Sequence, residues 1–281
     1  MRKAKIFLSY AMADEKKVDF LRDKLVENNF EIRNDSGIAP GTSWHDIISY
    51  ELNASDFLVI CLTKKLFRDG KLSFAYDDQF LEDAKKRDIA IILVLLEDLI
   101  IPDNLKQFKY VDLRENKYAE ADLLIEKIKF RSSITFDNLS PKRFEDMIFD
   151  LLSKLNFLNI HKETTKLDKG IDFIANYIEQ DPFGRKRKET WLIESKLYRQ
   201  ERFSLSSLKD MLARHKYVSI DDTKLLLITN SLLTSVVREY IGELHQANGI
   251  DLRVIDGNDL KDIIADNKAI QIKYFADEQL S

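Results

Sequence analysis

Two acidic residues and a lysine in the second half of the chain have the types and spacing of a phosphodiester-cleaving site. Asp172 closes the segment DKGID, and Glu194 and Lys196 lie in the segment IESK. Side chains alternate between the two faces of a strand, so Glu194 and Lys196 share a face and Ser195 points to the opposite one. If the strand that begins near Ile171 pairs with this one, Asp172 joins them. The two carboxylates could then hold Mg²⁺ or Mn²⁺ through oxygen, and the lysine could orient the attacking water or stabilise the charge of the transition state.

An exposed strand with alternating charges would show the same three residues, so the flanking residues matter. The sequence WLI at 191–193 comes directly before Glu194. A charged pair within an apolar strand is costly unless its members are paired or functional. The apolar flank therefore favours a functional site over a solvated strand face.

Charge and composition limit how this chain could contact nucleic acid. The 281 residues carry a net charge of −4, with a pI of about 5.7, so contact must come from local basic patches. The run Arg185, Lys186, Arg187 and Lys188 lies between the two strands that carry the acidic residues. We expect it to contact phosphates beside the site. The alternative is an ordinary solvated hairpin tip.

The single cysteine, Cys61, excludes a disulfide within the chain and favours a reducing, cytoplasmic setting. The first residues, MRKAKIFLSY, lack the long apolar segment of a signal peptide. The longest strongly apolar stretch, 89–96, is too short to span a bilayer, so we expect no membrane association.

The first part of the chain alternates strand and helix patterns. Apolar runs predict strands at 5–10, 30–34, 56–62, 89–95 and 109–113, and helical spacing predicts helices at 14–28, 43–53, 73–86 and 118–129. Strands that alternate with helices imply a parallel sheet that is covered on both faces.

The second part begins after the polar stretch 131–139, which we interpret as a linker between domains at 1–130 and 140–281. It opens with a predicted helix at 141–155. Predicted strands follow at 171–177, 190–196, 224–229 and 251–255, with helices near 205–217 and 234–247. Both parts therefore belong to the α/β class.

The second part resembles the Mrr-like restriction endonucleases, which use the PD-(D/E)xK site. The similarity rests on LSPKRFEDMIFDLLSKLNF, DKGID, IESK, KLLLITNSLLT and GIDLRVIDGNDL, in that order. It implies a restriction-endonuclease-like α/β fold in which Asp172 and Glu194 bind metal and Lys196 is the catalytic lysine. It also marks Glu145, in the opening helix, as a candidate third metal ligand. The alternative for Glu145 is an ordinary acidic residue on a helix surface.

The first part resembles a TIR domain with a flavodoxin-like parallel sheet. The similarity rests on KIFLSY at 5–10, the loop GIAPG at 37–41, and SDFLVI at 55–60. It implies a ligand cleft near Tyr10, Trp44, Gln79 and Glu82. TIR domains that cleave NAD resemble S-x-W-C-x-x-E, but the corresponding stretch here is SFAYDDQ, which lacks the tryptophan, the cysteine and the glutamate. Glu82, one helical turn beyond Gln79, could face the same way.

Together the two resemblances imply a metal-dependent DNA endonuclease in prokaryotic antiphage defence. The TIR domain would sense a ligand or form a homo-oligomer, and an Argonaute-like or nucleotide-signalling partner could activate cleavage. One alternative is a TIR NAD hydrolase whose second domain only binds nucleic acid. The other is an interaction adaptor without enzymatic activity.

Overall fold

The structure, a computed structural model, describes residues 3–33, 54–68, 81, 84, 87, 89–162, 170–199, 202–215, 223–247 and 251–275. The chain divides into two compact units, Met1–Ser132 and Ser133–Ser281.

The first unit is built on a five-stranded parallel sheet. Its strands are β1 (Lys5–Ser9), β2 (Glu31–Arg33), β3 (Phe57–Leu62), β4 (Ala90–Leu95) and β5 (Tyr110–Asp112). Their order in the sheet is β2-β1-β3-β4-β5, and every described pairing is parallel. The described helices are α1 (Glu15–Glu27), α2 (Lys64–Arg68) and α3 (Lys117–Ser133). This confirms the predicted α/β class and the flavodoxin-like sheet.

The apolar residues of the central strands face two separate cores. Alternate residues such as Leu8 and Val59 pack with α1 and α3 on one side of the sheet. The residues between them, such as Phe7 and Leu58, pack on the other side with Leu66 and two further buried residues, Leu81 and Ala84. The continuous apolar runs of β3 and β4 therefore follow from burial on both faces.

The second unit contains a mixed five-stranded sheet. Its strands are β6 (Leu158–Lys162), β7 (Phe173–Gln180), β8 (Lys186–Lys196), β9 (Thr223–Thr229) and β10 (Leu252–Ile255). Strands β6, β7 and β8 pair antiparallel, whereas β8, β9 and β10 pair parallel, in the order β10-β9-β8-β7-β6. The helices are α4 (Pro141–Lys154), α5 (Leu205–His215), α6 (Ser235–Ala247), α7 (Gly257–Ala265) and α8 (Lys268–Phe275). Strand β6 and helices α7 and α8 were not predicted.

Helix α4 begins where the sequence predicts, because Ser140 caps it. The hydroxyl of Ser140 accepts a hydrogen bond from the backbone N–H of Arg143, and Pro141 occupies the first turn. One face of the helix is buried, and its Phe149 contacts Phe173 of β7. The cap and this packing fix the helix that carries Glu145.

The segment predicted as a linker, 131–139, has structure of its own. Its first three residues belong to α3. Ile134, Phe136 and Leu139 are buried, and Phe136 packs edge-on against Phe144 and Phe275 of the second unit. The residues at 134–139 therefore contribute to the core of the second unit, while the exact domain limits remain a prediction.

No helix in the described part of the chain is both long enough and apolar enough to cross a membrane.

Candidate active site

The antiparallel pairing of β7 with β8 brings Asp172 beside the strand that carries Glu194 and Lys196. Phe173 pairs with Ile193, and the backbone N–H of Asp172 donates to the carbonyl oxygen of Ile193 at 2.9 Å. Asp172 thus stands one residue before β7, next to Glu194 of β8. Local sequence alone does not fix the pairing of β7 with β8. This pairing brings the Asp172 residue next to Glu194.

The side chain of Asp172 is held by Ser195. The backbone N–H of Ser195 donates to Asp172 Oδ2 at 2.6 Å, and its hydroxyl donates to the same oxygen at 2.8 Å. Strand β7 begins at Phe173. The backbone N–H of Ser195 therefore donates to the Asp172 carboxylate and not to a carbonyl oxygen of β7. The sequence pattern gave Ser195 no role other than pointing away from Glu194 and Lys196.

Glu194 and Lys196 form an ion pair at the end of β8. Glu194 is buried, with 1% of its side chain exposed, and its Oε1 lies 2.8 Å from Lys196 Nζ. The lysine side chain is 39% exposed, so its ammonium group can be reached from solvent. Burying a carboxylate costs desolvation free energy, so a buried carboxylate is typically paired or functional.

Glu145 of α4 feels the charges of Asp172 and Lys196. Burial raises its pKa above the usual 4.5, and the negative charge of Asp172 raises it further. The charges of Lys162 and Lys196 act in the opposite direction. Asp172 and Lys196 therefore lie within range of the charge on Glu145.

The donor set suits a small, hard cation. Within the described ranges, no group of three or more His, Cys, Asp or Glu side chains is arranged to hold a metal ion. Mg²⁺ commonly takes only one or two protein carboxylates and completes its shell with water and substrate phosphate oxygens. Asp172 and Glu194 meet that smaller requirement.

Two residues beyond the motif fix the chain that follows Lys196. The side-chain amide of Asn230 accepts from the backbone N–H of Tyr198 at 2.7 Å and donates to its carbonyl oxygen at 2.7 Å. The guanidinium of Arg199 donates to the carbonyl oxygens of Phe136, Asp137 and Leu139. In the sequence, only the polar turn TNS after an apolar strand pointed to Asn230 as a residue of interest. No sequence pattern pointed to Arg199.

The basic run at 185–188 lies at the tip of the β7–β8 hairpin. All four of its residues are exposed. Arg185 precedes β8, and the other three alternate between the two faces of the hairpin, with Lys186 opposite Gln180 and Lys188 opposite Ile178. The predicted hairpin is therefore present, and the predicted phosphate contact remains a prediction.

Of the four residues suggested for the ligand cleft of the first unit, the structure describes Tyr10. Its ring is buried, and its hydroxyl accepts a hydrogen bond from Arg22 at 2.6 Å. The Arg22 guanidinium also lies 5.5 Å from the centre of the ring. Trp44, Gln79 and Glu82 lie outside the described residues, as does the stretch 73–79 that was compared with the NAD-cleaving motif.

Comparison with protein families agrees with both resemblances. Residues 6–127 match the model of the TIR domain, and residues 136–264 match a restriction endonuclease model of the Mrr catalytic type. A comparison with curated proteins found no significant match.

Solved structures of both kinds are similar to the chain. A TIR domain of the Toll-related receptor TRR-2 from Hydra magnipapillata is 18% identical, with a TM-score of 0.35, over 45% of this chain and 95% of that one. The DNA modification-dependent restriction endonuclease AspBHI is 12% identical, with a TM-score of 0.39, over 66% of this chain and 44% of that one. MspJI, solved with a 27-mer oligonucleotide, is 12% identical, with a TM-score of 0.34, over 66% of this chain and 38% of that one. The two family matches identify the chain as an N-terminal TIR domain joined to an Mrr-like restriction endonuclease domain.

Proposed function

We propose that this protein is a metal-dependent DNA endonuclease that acts as a cytoplasmic effector in antiphage defence. The observation that carries the proposal is the pairing of β7 with β8, which sets Asp172 beside Glu194 and Lys196. A restriction endonuclease domain with these groups at the same end of two neighbouring strands has the residues that phosphodiester hydrolysis needs.

In this proposal Asp172 and Glu194 hold Mg²⁺ or Mn²⁺. Glu145 does not form a three-carboxylate group with them in the structure, so it is proposed as a third ligand only after its side chain shifts toward the ion. The ion, when bound, lowers the pKa of a water molecule and polarises the phosphodiester. Ser195 keeps Asp172 in position, because both of its hydrogen bonds run to Oδ2. Lys196 is exposed enough to reach the scissile phosphate, where its charge stabilises the developing negative charge.

The test is cleavage of plasmid DNA by the purified full chain with Mg²⁺ or Mn²⁺. We expect cutting that EDTA stops and that Asp172→Ala, Glu194→Ala and Lys196→Ala each reduce at least a hundredfold, since removing one group that stabilises the transition state typically costs that much. Lys268→Ala, an exposed lysine at the start of α8, is the matched control and should cut normally. Wild-type rates in all three site variants would refute the assignment.

We infer that the TIR domain regulates the nuclease, either by binding a ligand or by forming a homo-oligomer that brings two nuclease domains to the same duplex. A domain in which Gln79 stands at the glutamate position of the NAD-cleaving motif suits sensing better than NAD cleavage. An Argonaute-like or nucleotide-signalling protein is the proposed activator. NAD measured in the same reactions tests this: NAD loss that disappears in Glu82→Ala would favour the alternative of an NAD hydrolase.

A further inference from the structure

The tip of the β7–β8 hairpin displays an aromatic ring that the fold does not use. Phe183 is 95% exposed, the most exposed of the large apolar side chains in the described ranges. A lone exposed apolar residue is common on protein surfaces, but a whole phenylalanine ring at the end of a projecting arm is not explained by packing. The ring is therefore available to a partner.

The backbone beneath this ring is rigidly organised. Asp181 Oδ1 accepts from the backbone N–H of Phe183 at 2.9 Å and from that of Arg185 at 2.8 Å. The backbone of Asp181 makes two more bonds, accepting from Gly184 at 2.9 Å and donating to Arg185 at 2.9 Å. Gly184 has φ +88°, which glycine adopts without strain. None of these bonds involves the side chain of Phe183, so the turn presents the ring without depending on it.

Positive charge lies next to the ring in the hairpin. Four basic residues, Arg185 to Lys188, follow Phe183 after Gly184, whereas the described hairpin has two acidic residues near the tip, Glu179 and Asp181. One of these acids, Asp181, is occupied by the backbone of the turn. A ring beside a run of cations suits a partner that offers flat apolar surfaces next to negative charges, which is the chemistry of stacked bases between phosphates.

We propose that Phe183 is a wedge that stacks between neighbouring base pairs of duplex DNA while the basic residues of β8 hold the phosphates on either side. The proposal rests on the nuclease function proposed above and adds a second point of DNA contact away from the chemistry. Phenylalanine is one of the residues that other proteins insert between base steps, at a cost of a few kcal/mol of unstacking that the added contacts offset.

The position of the wedge follows from the strand that it shares with the active site. Lys186 and Glu194 are eight residues apart on β8, which is roughly 26 Å at 3.3 Å per residue. That length corresponds to roughly eight base pairs at 3.4 Å each. Strand β8, which begins three residues after Phe183, thus spans most of a helical turn between the tip and the proposed cleavage site.

A lipid surface is the other partner that exposed phenylalanine and lysine could contact, and the structure favours DNA. Three of the basic residues, 186–188, begin the strand that ends with Glu194 and Lys196, so the tip and the proposed cleavage site share one strand. A single ring is also a small anchor for a membrane.

The experiment uses the full chain with 30-base-pair duplexes that carry 2-aminopurine at successive positions, in Ca²⁺ to prevent cleavage. We expect wild-type protein to raise the 2-aminopurine fluorescence at one step, because unstacking relieves its quenching. Phe183→Ala should abolish this rise and weaken binding about tenfold, since loss of one base–aromatic stack costs about 1–3 kcal/mol. Phe183→Trp should preserve both. Ile178→Ala, which removes a half-exposed apolar residue from the same hairpin, should match wild type.

Two further binding measurements vary the duplex length and replace DNA with lipid vesicles. On duplexes with fewer than about five base pairs on each side of the cut, we expect Phe183→Ala and wild type to bind equally, because the wedge finds no step to enter. Equal binding and equal fluorescence on long duplexes, with normal plasmid cleavage by wild type, would overturn the wedge and leave the nuclease function standing. Failure of wild type to bind any duplex would overturn both. Binding to phosphatidylserine vesicles that Phe183→Ala abolishes, without an effect on DNA, would assign the tip to a membrane.

Discussion

At the scale of single residues, the candidate site depends on how one carboxylate is held. Asp172 lies outside β7, so its position comes from two hydrogen bonds to Ser195 and from its own backbone bond to Ile193. Both bonds from Ser195 engage Oδ2, and so Oδ1 is not needed to fix the side chain. In the proposed mechanism Ser195 is therefore a positioning residue, which would act on the reaction through Asp172.

Replacing Ser195 tests this role. Ser195→Ala keeps the backbone N–H bond and removes the hydroxyl bond, which for a charged acceptor contributes about 1.5–3 kcal/mol. We expect cleavage to need at least tenfold more Mg²⁺ or Mn²⁺, with a smaller effect at saturating metal. The measurement is the cleavage rate across a metal titration, and Ser195→Thr, which retains a hydroxyl, should restore the metal dependence. An unchanged titration in Ser195→Ala would mean that the N–H bond suffices.

A buried acid in the first unit makes a second prediction at this scale. Asp14 is 1% exposed; Thr63 donates to its Oδ2 at 2.7 Å, and Lys17 lies 3.2 Å from its Oδ1. Burial by itself would raise the pKa of Asp14, but the bonds from Thr63 and Lys17 and the charges of Lys17 and Lys65 outweigh it and bring the pKa below the usual 3.8. The ionised carboxylate therefore stabilises the fold above its ordinary pKa, and this stability is lost as pH falls through the lowered value.

Asp14→Asn should therefore lower the free energy of unfolding by about 2 kcal/mol at pH 7, the scale of charged hydrogen bonds. The difference from wild type should shrink as the pH falls through the lowered pKa of Asp14, because the carboxyl group then becomes neutral in the folded protein. Urea unfolding across pH measures it. Asp103→Asn is the control, because Asp103 is 95% exposed and pairs with Lys106 at the surface, and it should change stability far less. A difference that stays constant as the pH falls from 7 to the acid limit of folding would contradict the carboxylate's role.

At the scale of elements, the carboxyl ends of the parallel strands β8, β9 and β10 are joined by close backbone contacts. Asn230 follows β9 and clamps Tyr198 beyond β8, while Gly257 follows β10 and donates from its N–H to the carbonyl oxygen of Ser231 at 3.1 Å. Asp256 caps α7 through the backbone N–H groups of Asn258 and Asp259. The segment after the catalytic strand is thus fixed by the segments after its neighbours.

Gly257 tests this arrangement. A Cβ at this position would lie 2.3 Å from the carbonyl oxygen of Asn230, which no rotation of a side chain can relieve. We expect Gly257→Ala to destabilise the second unit by about 3 kcal/mol. Gly242→Ala in α6 is the matched control: its Cβ would meet nothing within 4 Å, so it should stabilise by up to about 1 kcal/mol through helix propensity. Thermal unfolding compares the two, and equal melting temperatures would show that the contact is not tight.

At the scale of the whole molecule, the chain consists of two units, each with a sheet and a core of its own. The first core surrounds a parallel sheet, and the second joins β9 and β10 to α5 and α6 through residues such as Leu208 and Leu227. A core that is complete within one unit can unfold as one cooperative step.

We therefore expect two transitions in a calorimetric scan of the full chain. Asp14→Asn should lower one of them and Gly257→Ala the other, since the two residues belong to different units. Added Mn²⁺ should raise only the transition that Gly257→Ala lowers, because a ligand stabilises the unit that binds it. A single transition that both variants lower equally would mean that the units unfold together.

Much of the fold follows from patterns that act over short distances. The apolar runs at 56–62 and 89–95 predict β3 and β4 to within a residue, because strands buried on both faces need such runs. Strand β6 was missed because its sequence, LNIHK, is largely exposed and has little apolar pattern. The polar stretch at 131–139 suggested a linker, whereas its three buried apolar residues, Ile134, Phe136 and Leu139, pack it into a core.

The sequence alone determined which chemical groups the candidate site contains, two carboxylates and a lysine from DKGID and IESK. It also determined that Glu194 and Lys196 share a strand face, because alternation along a strand depends only on the local backbone. Only the tertiary structure decided which groups support them. The bonds from Ser195 to Asp172 and from Asn230 to Tyr198 join segments that are 23 and 32 residues apart in sequence. The exposure of Phe183 and the burial of Asp14 depend equally on what packs around them. Such contacts depend on strand pairing and packing between distant segments, which a local pattern of apolar and polar residues does not specify.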